Sequence, residues 1–243
     1  MMGKKLGVIG GLGPGATAYF YQLLTQMTDA GSDQEHIEIN IISKPTIPDR
    51  TGYILGRTND SPLIPMIEAG KSLDLLGADY IAVTCITAHY FHEELSKNIK
   101  APIIHIIKET VKCLKEEGVK SAGIMATEGT IASNLFQNEL SKNGIKSIIP
   151  SEYSQSLVTG LIYKYIKAGI PANMDFFHEV TDELKKMGAE TNILGCTELS
   201  LIKRDEEIGP DFIDAMEVLA KASIINCEAP LNKEYYNLIT GRQ

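Results

Sequence analysis

The 243-residue sequence predicts an α/β protein of two similar halves, each a mainly parallel sheet flanked by helices. Short runs rich in β-branched residues alternate along the chain with longer segments of helical periodicity. Two stretches of the first half recur in the second half at nearly constant spacing. Because open α/β sheets bind ligands at the carboxyl ends of their strands, a cleft between the halves is the expected functional site.

Six short apolar runs have the composition of buried strands. They are residues 6–10, 37–43, 79–84, 121–126, 145–149 and 191–195. Most are followed by a segment with helical spacing, so we expect the strands to pair mainly in parallel.

Segments between these runs place apolar residues every three or four positions, and several end at glycine, as amphipathic helices do. They are residues 14–28, 62–77, 106–118, 131–144 and 176–188. A further helix is expected around residues 212–225, packing back on the first half.

The internal repeat relates two cysteines. Residues 7–24 align without gaps on residues 123–140 with five identities in eighteen positions, and GADYIAVTC (77–85) aligns on GAETNILGC (188–196). The offsets are 116 and 111, close enough for one unit used twice. The repeat sets Cys85 opposite Cys196, each at the carboxyl end of a strand and before a helix start.

A thiol at that junction has two interpretations. A lone buried cysteine is usually a small apolar residue, and we interpret Cys113 and Cys227 in that way. A helix N-terminus, however, stabilises the reactive thiolate. The matched positions of Cys85 and Cys196 favour a shared ligand.

Composition excludes several classes of function. The formal charge of −8 argues against a nucleic-acid partner. No apolar run reaches the roughly 18 residues of a membrane span, and the MMGKKLGVIGG segment lacks the apolar region of a secretory signal. Four sparsely spaced cysteines indicate reduced thiols. We therefore expect a cytoplasmic protein without nucleic-acid or membrane partners.

Four motifs in order carry a resemblance to the aspartate/glutamate racemase family. They are KLGVIGGLGPGATAYFYQLL, SKPTIPDRT (43–51), CITAHYF (85–91) and GCTEL (195–199). The resemblance extends from residue 6 to about residue 202. It implies two pseudo-symmetric α/β domains with the active site between them, and racemisation of an acidic amino acid without pyridoxal phosphate or another cofactor.

Inversion of a stereocentre needs a base on one face of the carbon and an acid on the other. Cysteines suit both roles because thiol and thiolate differ by one proton near neutral pH. The resemblance assigns these catalytic roles to Cys85 and Cys196. It also implies that the α-carboxylate and amino group lie near Thr84, Ile86, Thr87, Thr127 and Thr197.

Three of the polar candidates have an alternative role. By resemblance Arg50 grips a side-chain carboxylate, although a loop salt bridge with Asp49 would also explain it. Glu198 either orients the second thiol or caps a helix, and capping is slightly favoured. Thr127 is equally an ordinary N-cap.

Two features leave the substrate open. The usual family stretch after the first thiol is Cys-Asn-Thr, whereas this chain has Ile86 in the middle position, which removes an amide and adds an apolar wall. No lysine matches the family's contact with the distal carboxylate in register, although Lys164 lies nearby. Aspartate, glutamate and other amino acids therefore all stay open.

Glycines 10, 11, 13 and 15 lack the spacing of a dinucleotide or phosphate loop. They predict a tight strand-to-helix turn close to a small anion, with Thr17 in the first helical turn, or a purely structural turn.

Other functions compete with racemisation. Cys85, His89 and His92 have a spacing that zinc accepts, but Ser200 occupies the equivalent of His89 in the second half, so we predict no metal site. A binding protein without turnover, or a cis-trans isomerase or decarboxylase of dicarboxylic acids, would also fit such a cleft.

The sequence therefore predicts a first domain of residues 1–104 with 212–243 and a second domain of residues 105–211. The expected partner is a small amino-acid substrate. An amphipathic helix beside the cleft is compatible with a homodimer.

Overall fold

The computed structural model describes residues 3–242 and confirms the α/β architecture. Its two parallel sheets have the strand orders β2-β1-β3 and β5-β4-β6-β7. The strands are β1 Leu6–Gly10, β2 Ile39–Ser43, β3 Tyr80–Val83, β4 Ser121–Ala126, β5 Lys146–Ile148, β6 Thr191–Gly195 and β7 Phe212–Asp214.

Helices connect and cover the strands. They are α1 Pro14–Met27, α2 Arg50–Ile54, α3 Leu63–Leu75, α4 His92–Asn98, α5 Ile106–Glu116, α6 Glu128–Ala132, α7 Leu135–Lys142, α8 Glu152–Gly160, α9 Met174–Lys186, α10 Thr197–Asp205 and α11 Ala215–Asn226. A π-helix, Leu161–Tyr165, and a 3-10 helix, Ile166–Ala168, follow α8. Within residues 3–242 no helix has both the length and the apolar character that crossing a membrane requires.

The two halves repeat one topology. In each half the first strand lies in the middle, β1 between β2 and β3, and β4 between β5 and β6. The predicted equivalence of residues 77–85 and 188–196 therefore relates β3 to β6. Since parallel strands end at the same edge of a sheet, Cys85 and Cys196 leave their sheets at equivalent points.

Two element predictions are wrong in detail. The expected helix at residues 131–144 is split into α6 and α7, because Asn134 adopts a left-handed conformation with φ 54°. The expected helix at residues 212–225 starts only at Ala215, and the three residues before it form β7.

The domain boundaries stay a prediction. β7 pairs with β6 in the second sheet, so residues 212–214 extend that sheet rather than the first. α11 packs against α1 and α5.

The apolar core has three parts. One cluster lies in the first half around Ile9, Met66 and Val83, and a second lies in the second half around Phe177 and Leu194. The largest cluster spans both halves and joins side chains of α1, α5 and α11 to the inner faces of both sheets. Burial of this shared surface fixes the two halves against each other.

Candidate active site

Both cysteines line one small cavity between the halves, which we call the inner cavity. Its free volume is about 10 Å³, room for roughly one water molecule. Eight of the nine predicted catalytic and binding residues line it: Arg50, Cys85, Ile86, Thr87, Thr127, Cys196, Thr197 and Glu198. Thr84 does not.

Cys196 is buried beside a carboxylate. Its Sγ donates to Oε2 of Glu198 at 3.0 Å, and Thr197 Oγ1 donates to the same oxygen at 3.3 Å. Burial, followed by the negative charge of Glu198, raises the pKa of Cys196 well above its usual value, although Lys167 opposes the shift. Cys196 is therefore a thiol at neutral pH.

Glu198 lies in the first turn of α10, where its side chain was expected to cap the helix. It accepts instead from the Cys196 thiol, the Thr197 hydroxyl and the ammonium of Lys167. The contacts fit the alternative that Glu198 orients the second thiol.

Cys85 faces a cation. Arg50 is 8% exposed and donates to the backbone oxygens of Leu12 at 2.7 Å and Pro48 at 3.0 Å. Burial acts to lower the pKa of Arg50, but the negative charge of an ionised Cys85 beside it contributes to raising it overall. Within residues 3–242 its Nε–H has no hydrogen-bond partner, so part of the guanidinium fork is free for a ligand.

Three hydroxyls join the halves beside the inner cavity, and the residues of two of them, Thr87 and Thr127, line it. Thr87 Oγ1 lies 2.9 Å from Thr127 Oγ1 and 3.0 Å from Thr130 Oγ1, and the latter two are 3.1 Å apart. Thr127 is also the N-cap of α6, since its hydroxyl accepts from the Thr130 N–H. Thr127 therefore both caps α6 and lines the inner cavity.

The glycine-rich turn is closed by threonines. Thr17 Oγ1 accepts from the Gly11 N–H at 3.0 Å and lies 3.0 Å from Thr84 Oγ1. Gly11 has φ 82°, a conformation that suits glycine. Thr84 is fully buried and holds α1 to β3, which explains its absence from the inner cavity.

Ile86 has one face in the cavity wall and lies in the core cluster that spans both halves, where it is 1% exposed. It provides an apolar surface at the position where the family motif has an amide.

Lys167 and Tyr163 also line the inner cavity and were missed. Lys167 Nζ lies 2.5 Å from Glu198 Oε1 and 5.9 Å from the centre of the Tyr163 ring. Burial raises the pKa of Tyr163 to about 12, so its hydroxyl stays a donor at neutral pH. Lys164, the lysine named from the sequence, is exposed and lines no cavity near the thiols. No regular helical spacing would have marked Lys167, because the π-helical turn before it changes which side chains share a face.

The histidines near Cys85 bind backbone rather than converging on a metal. His89 Nδ1 contacts the Cys85 carbonyl at 3.1 Å, and its Nε2 accepts from Ile106 N–H at 3.4 Å. His92 Nε2 lies 3.2 Å from the Ile103 carbonyl. Among residues 3–242 no three His, Cys, Asp or Glu side chains are grouped as metal ligands.

Fold and site together define a class: an α/β protein of two repeated halves with buried thiols at equivalent strand ends. The family model described as Asp/Glu/Hydantoin racemase matches residues 9–223. The chain belongs to this family, as the sequence predicted, and this membership makes it an amino-acid racemase by class.

Relatives with names agree with this assignment. The broad specificity amino-acid racemase RacX of Bacillus subtilis (strain 168) is 27% identical over 225 residues, covering 90% of this chain and 96% of RacX. The solved aspartate racemase of Picrophilus torridus matches with a TM-score of 0.83 and 30% identity, covering 96% and 98% of the two chains. Glutamate racemase of Francisella tularensis, solved with D-glutamate, matches with a TM-score of 0.66 and 17% identity over 94% and 83%, a likeness of fold alone.

Proposed function

We propose that the protein racemises a small acidic amino acid without a cofactor, with Cys85 and Cys196 as the opposed base and acid. The single observation that carries the proposal is that both thiols line one cavity from equivalent ends of two parallel sheets. A substrate held there has one sulfur on each side of its α-carbon.

The electrostatic surroundings of Cys196 support its role as the acid. Glu198 and burial keep Cys196 protonated, whereas the guanidinium of Arg50 is the cation beside Cys85. We therefore assign the acid of the resting enzyme to Cys196, which leaves Cys85 as the base.

In the proposed step the Cys85 thiolate takes the α-proton, and the C–H electron pair moves into the α-carboxylate. The Cys196 thiol then donates its proton to the opposite face of the carbon. The products are the inverted amino acid, a Cys85 thiol and a Cys196 thiolate, and the reverse reaction uses these groups in exchanged roles. The hydroxyls of Thr87 and Thr127 are donors for the charge that develops on the carboxylate, and that of Thr197 becomes a donor when it turns away from Glu198.

Two cations support an acidic side chain as the substrate. Arg50 keeps a free Nε–H, and Lys167 presents an ammonium at the same wall of the cavity. A carboxylate accepts well from both groups. Ile86 adds an apolar surface nearby, so screening a panel of L- and D-amino acids for optical inversion decides between acidic and neutral side chains.

Exchange of the α-hydrogen in deuterium oxide tests the mechanism. Cys85→Ser and Cys196→Ser are each expected to lower the exchange rate by about 10²–10⁴-fold, the usual contribution of a positioned acid or base. Cys113→Ser is the matched control, because Cys113 lies on α5 and lines neither the inner cavity nor its surroundings. Full exchange in either of the first two variants would show that the two-thiol assignment is wrong.

A further inference from the structure

The inner cavity adjoins a larger one, which we call the outer cavity. The outer cavity has a volume of about 280 Å³ and lies along the glycine-rich turn that begins α1. The two cavities share four wall residues: Leu12, Arg50, Lys167 and Glu198. Since the inner cavity is too small for any amino acid, this shared wall must move before a substrate reaches the thiols.

The contacts within the wall show which part moves. Arg50 is tied to three backbone carbonyls, those of Leu12, Ile47 and Pro48. Lys167 and Glu198 are held across the wall by one ion pair of 2.5 Å between their side chains. The Lys167 side chain is 27% exposed, and that of Glu198 is 5% exposed. The ion pair is thus the part of the wall that can separate by side-chain rotation.

The segment that carries Lys167 is suited to rearrangement. Leu161–Tyr165 forms a π-helix, and Ile166–Ala168 forms a 3-10 helix that ends at Gly169 with φ 72°. Both helix types are less regular than an α-helix, and π-helical turns are frequent at functional sites.

We propose that Lys167 and Glu198 form a gate between the two cavities, closed by their ion pair and opened when a substrate carboxylate replaces Glu198 at the Lys167 ammonium. The outer cavity is then the entrance for the amino acid. The inference rests on the proposed function for its substrate, but the gate itself is testable without one.

A substitution at Gly13 is expected to shift the gate toward its open state. A Cβ at position 13 would overlap Oε1 of Glu198 in the closed position and lie 3.6 Å from Lys167 Nζ. Gly13 has φ −168°, an extended conformation that alanine adopts freely. Gly13→Ala should therefore disfavour the closed gate without straining the backbone.

Gly15 provides the matched control in the same turn. A Cβ there would meet only Leu201 Cδ1, at the ordinary contact distance of 3.8 Å. Gly15→Ala should leave the gate as it is in the parent protein.

The experiment measures alkylation of each cysteine by iodoacetamide, followed by peptide mass spectrometry. Rates for Cys85 and Cys196 are normalised to Cys113, which lines neither cavity. In Gly13→Ala we expect both rates to rise about tenfold, equivalent to about 1.4 kcal/mol in the closing equilibrium. In Gly15→Ala we expect both to stay unchanged.

Unchanged alkylation rates in Gly13→Ala would contradict the gate proposal. A rise in the rate of Cys196 alone would also contradict it, because that result would show only that Glu198 had moved away from the Cys196 thiol. Should Gly13→Ala not fold, Gly13→Ser decides by the same criterion, since it carries the same Cβ and its hydroxyl is favoured at the N-cap of α1. Failure of racemisation would leave these labelling rates unaffected, so the two proposals fail independently.

Discussion

The two buried thiols lie in unequal surroundings, although the sheets that hold them repeat one topology. Cys196 donates to Glu198 at 3.0 Å, whereas Cys85 has the guanidinium of Arg50 beside it. Because a carboxylate disfavours a neighbouring thiolate, local charge distinguishes Cys196 from the cysteine that the repeat makes its equivalent.

Glu198→Gln tests this difference at the residue scale. Loss of the carboxylate charge is expected to lower the pKa of Cys196, because that charge and its hydrogen bond both favour the thiol. The measurement is the pH dependence of the Cys196 alkylation rate, whose midpoint should move to lower pH. Glu206→Gln is the control for net charge, since Glu206 is exposed beyond α10. A midpoint that moves equally in both variants would contradict the local effect.

The paired cysteines could be predicted because the repeat is visible in short sequence stretches that end in Cys85 and Cys196. Lys167 could not, because the π-helical turn before it changes which side chains share a face. The alternative roles of Arg50 and Glu198 likewise depend on contacts between distant segments, which residue spacing does not contain.

At the scale of elements, the turn between β1 and α1 depends on a close approach of two backbone segments. Gly11 has φ 82°, and a Cβ there would overlap the backbone of Lys44. This approach places the turn beside the outer cavity.

Gly11→Ala is expected to lower the free energy of unfolding by at least about 2 kcal/mol, since a left-handed residue costs about 1–2 kcal/mol and the overlap adds to it. Gly56→Ala isolates the cost of the left-handed conformation. Gly56 has φ 68°, and no atom of residues 3–242 lies within 4 Å of a Cβ added there. Urea unfolding of both variants measures the difference. Equal losses would show that the approach to Lys44 contributes nothing.

Strands with an uninterrupted apolar pattern were predicted with the correct first and last residues. These strands are β1, β4 and β6. β7 was not foreseen, because its two apolar residues, Phe212 and Ile213, continue the helical pattern of α11. Its pairing with β6 depends on tertiary structure and leaves no separate signal in so short a strand.

At the scale of the whole molecule, a buried histidine couples stability to pH. His89 is 3% exposed, and burial followed by the nearby His92 lowers its pKa to about 4, from the ordinary value of 6.5. The unfolded chain therefore binds a proton between these values that the folded chain does not.

The free energy of unfolding should fall on acidification from about pH 6.5 to about pH 4, with roughly 3 kcal/mol due to His89. His89→Asn should reduce this dependence without abolishing it, because burial also lowers the pKa of His105, to about 3, and the pKa of His92. His178→Asn, at an exposed position, should retain it in full. Urea unfolding across the pH range provides the measurement. An unchanged slope in His89→Asn would exclude His89 as the source.

The unequal charges beside the two thiols have a consequence for turnover under the proposed mechanism. The L and D forms of a substrate meet differently charged partners, Arg50 beside Cys85 and Glu198 beside Cys196, so their separate kcat and KM values need not match. Mirror-image molecules have the same free energy in water, which requires equal kcat/KM for the two directions. An enantiomer that the asymmetric site binds with a lower KM must therefore also have a proportionally lower kcat.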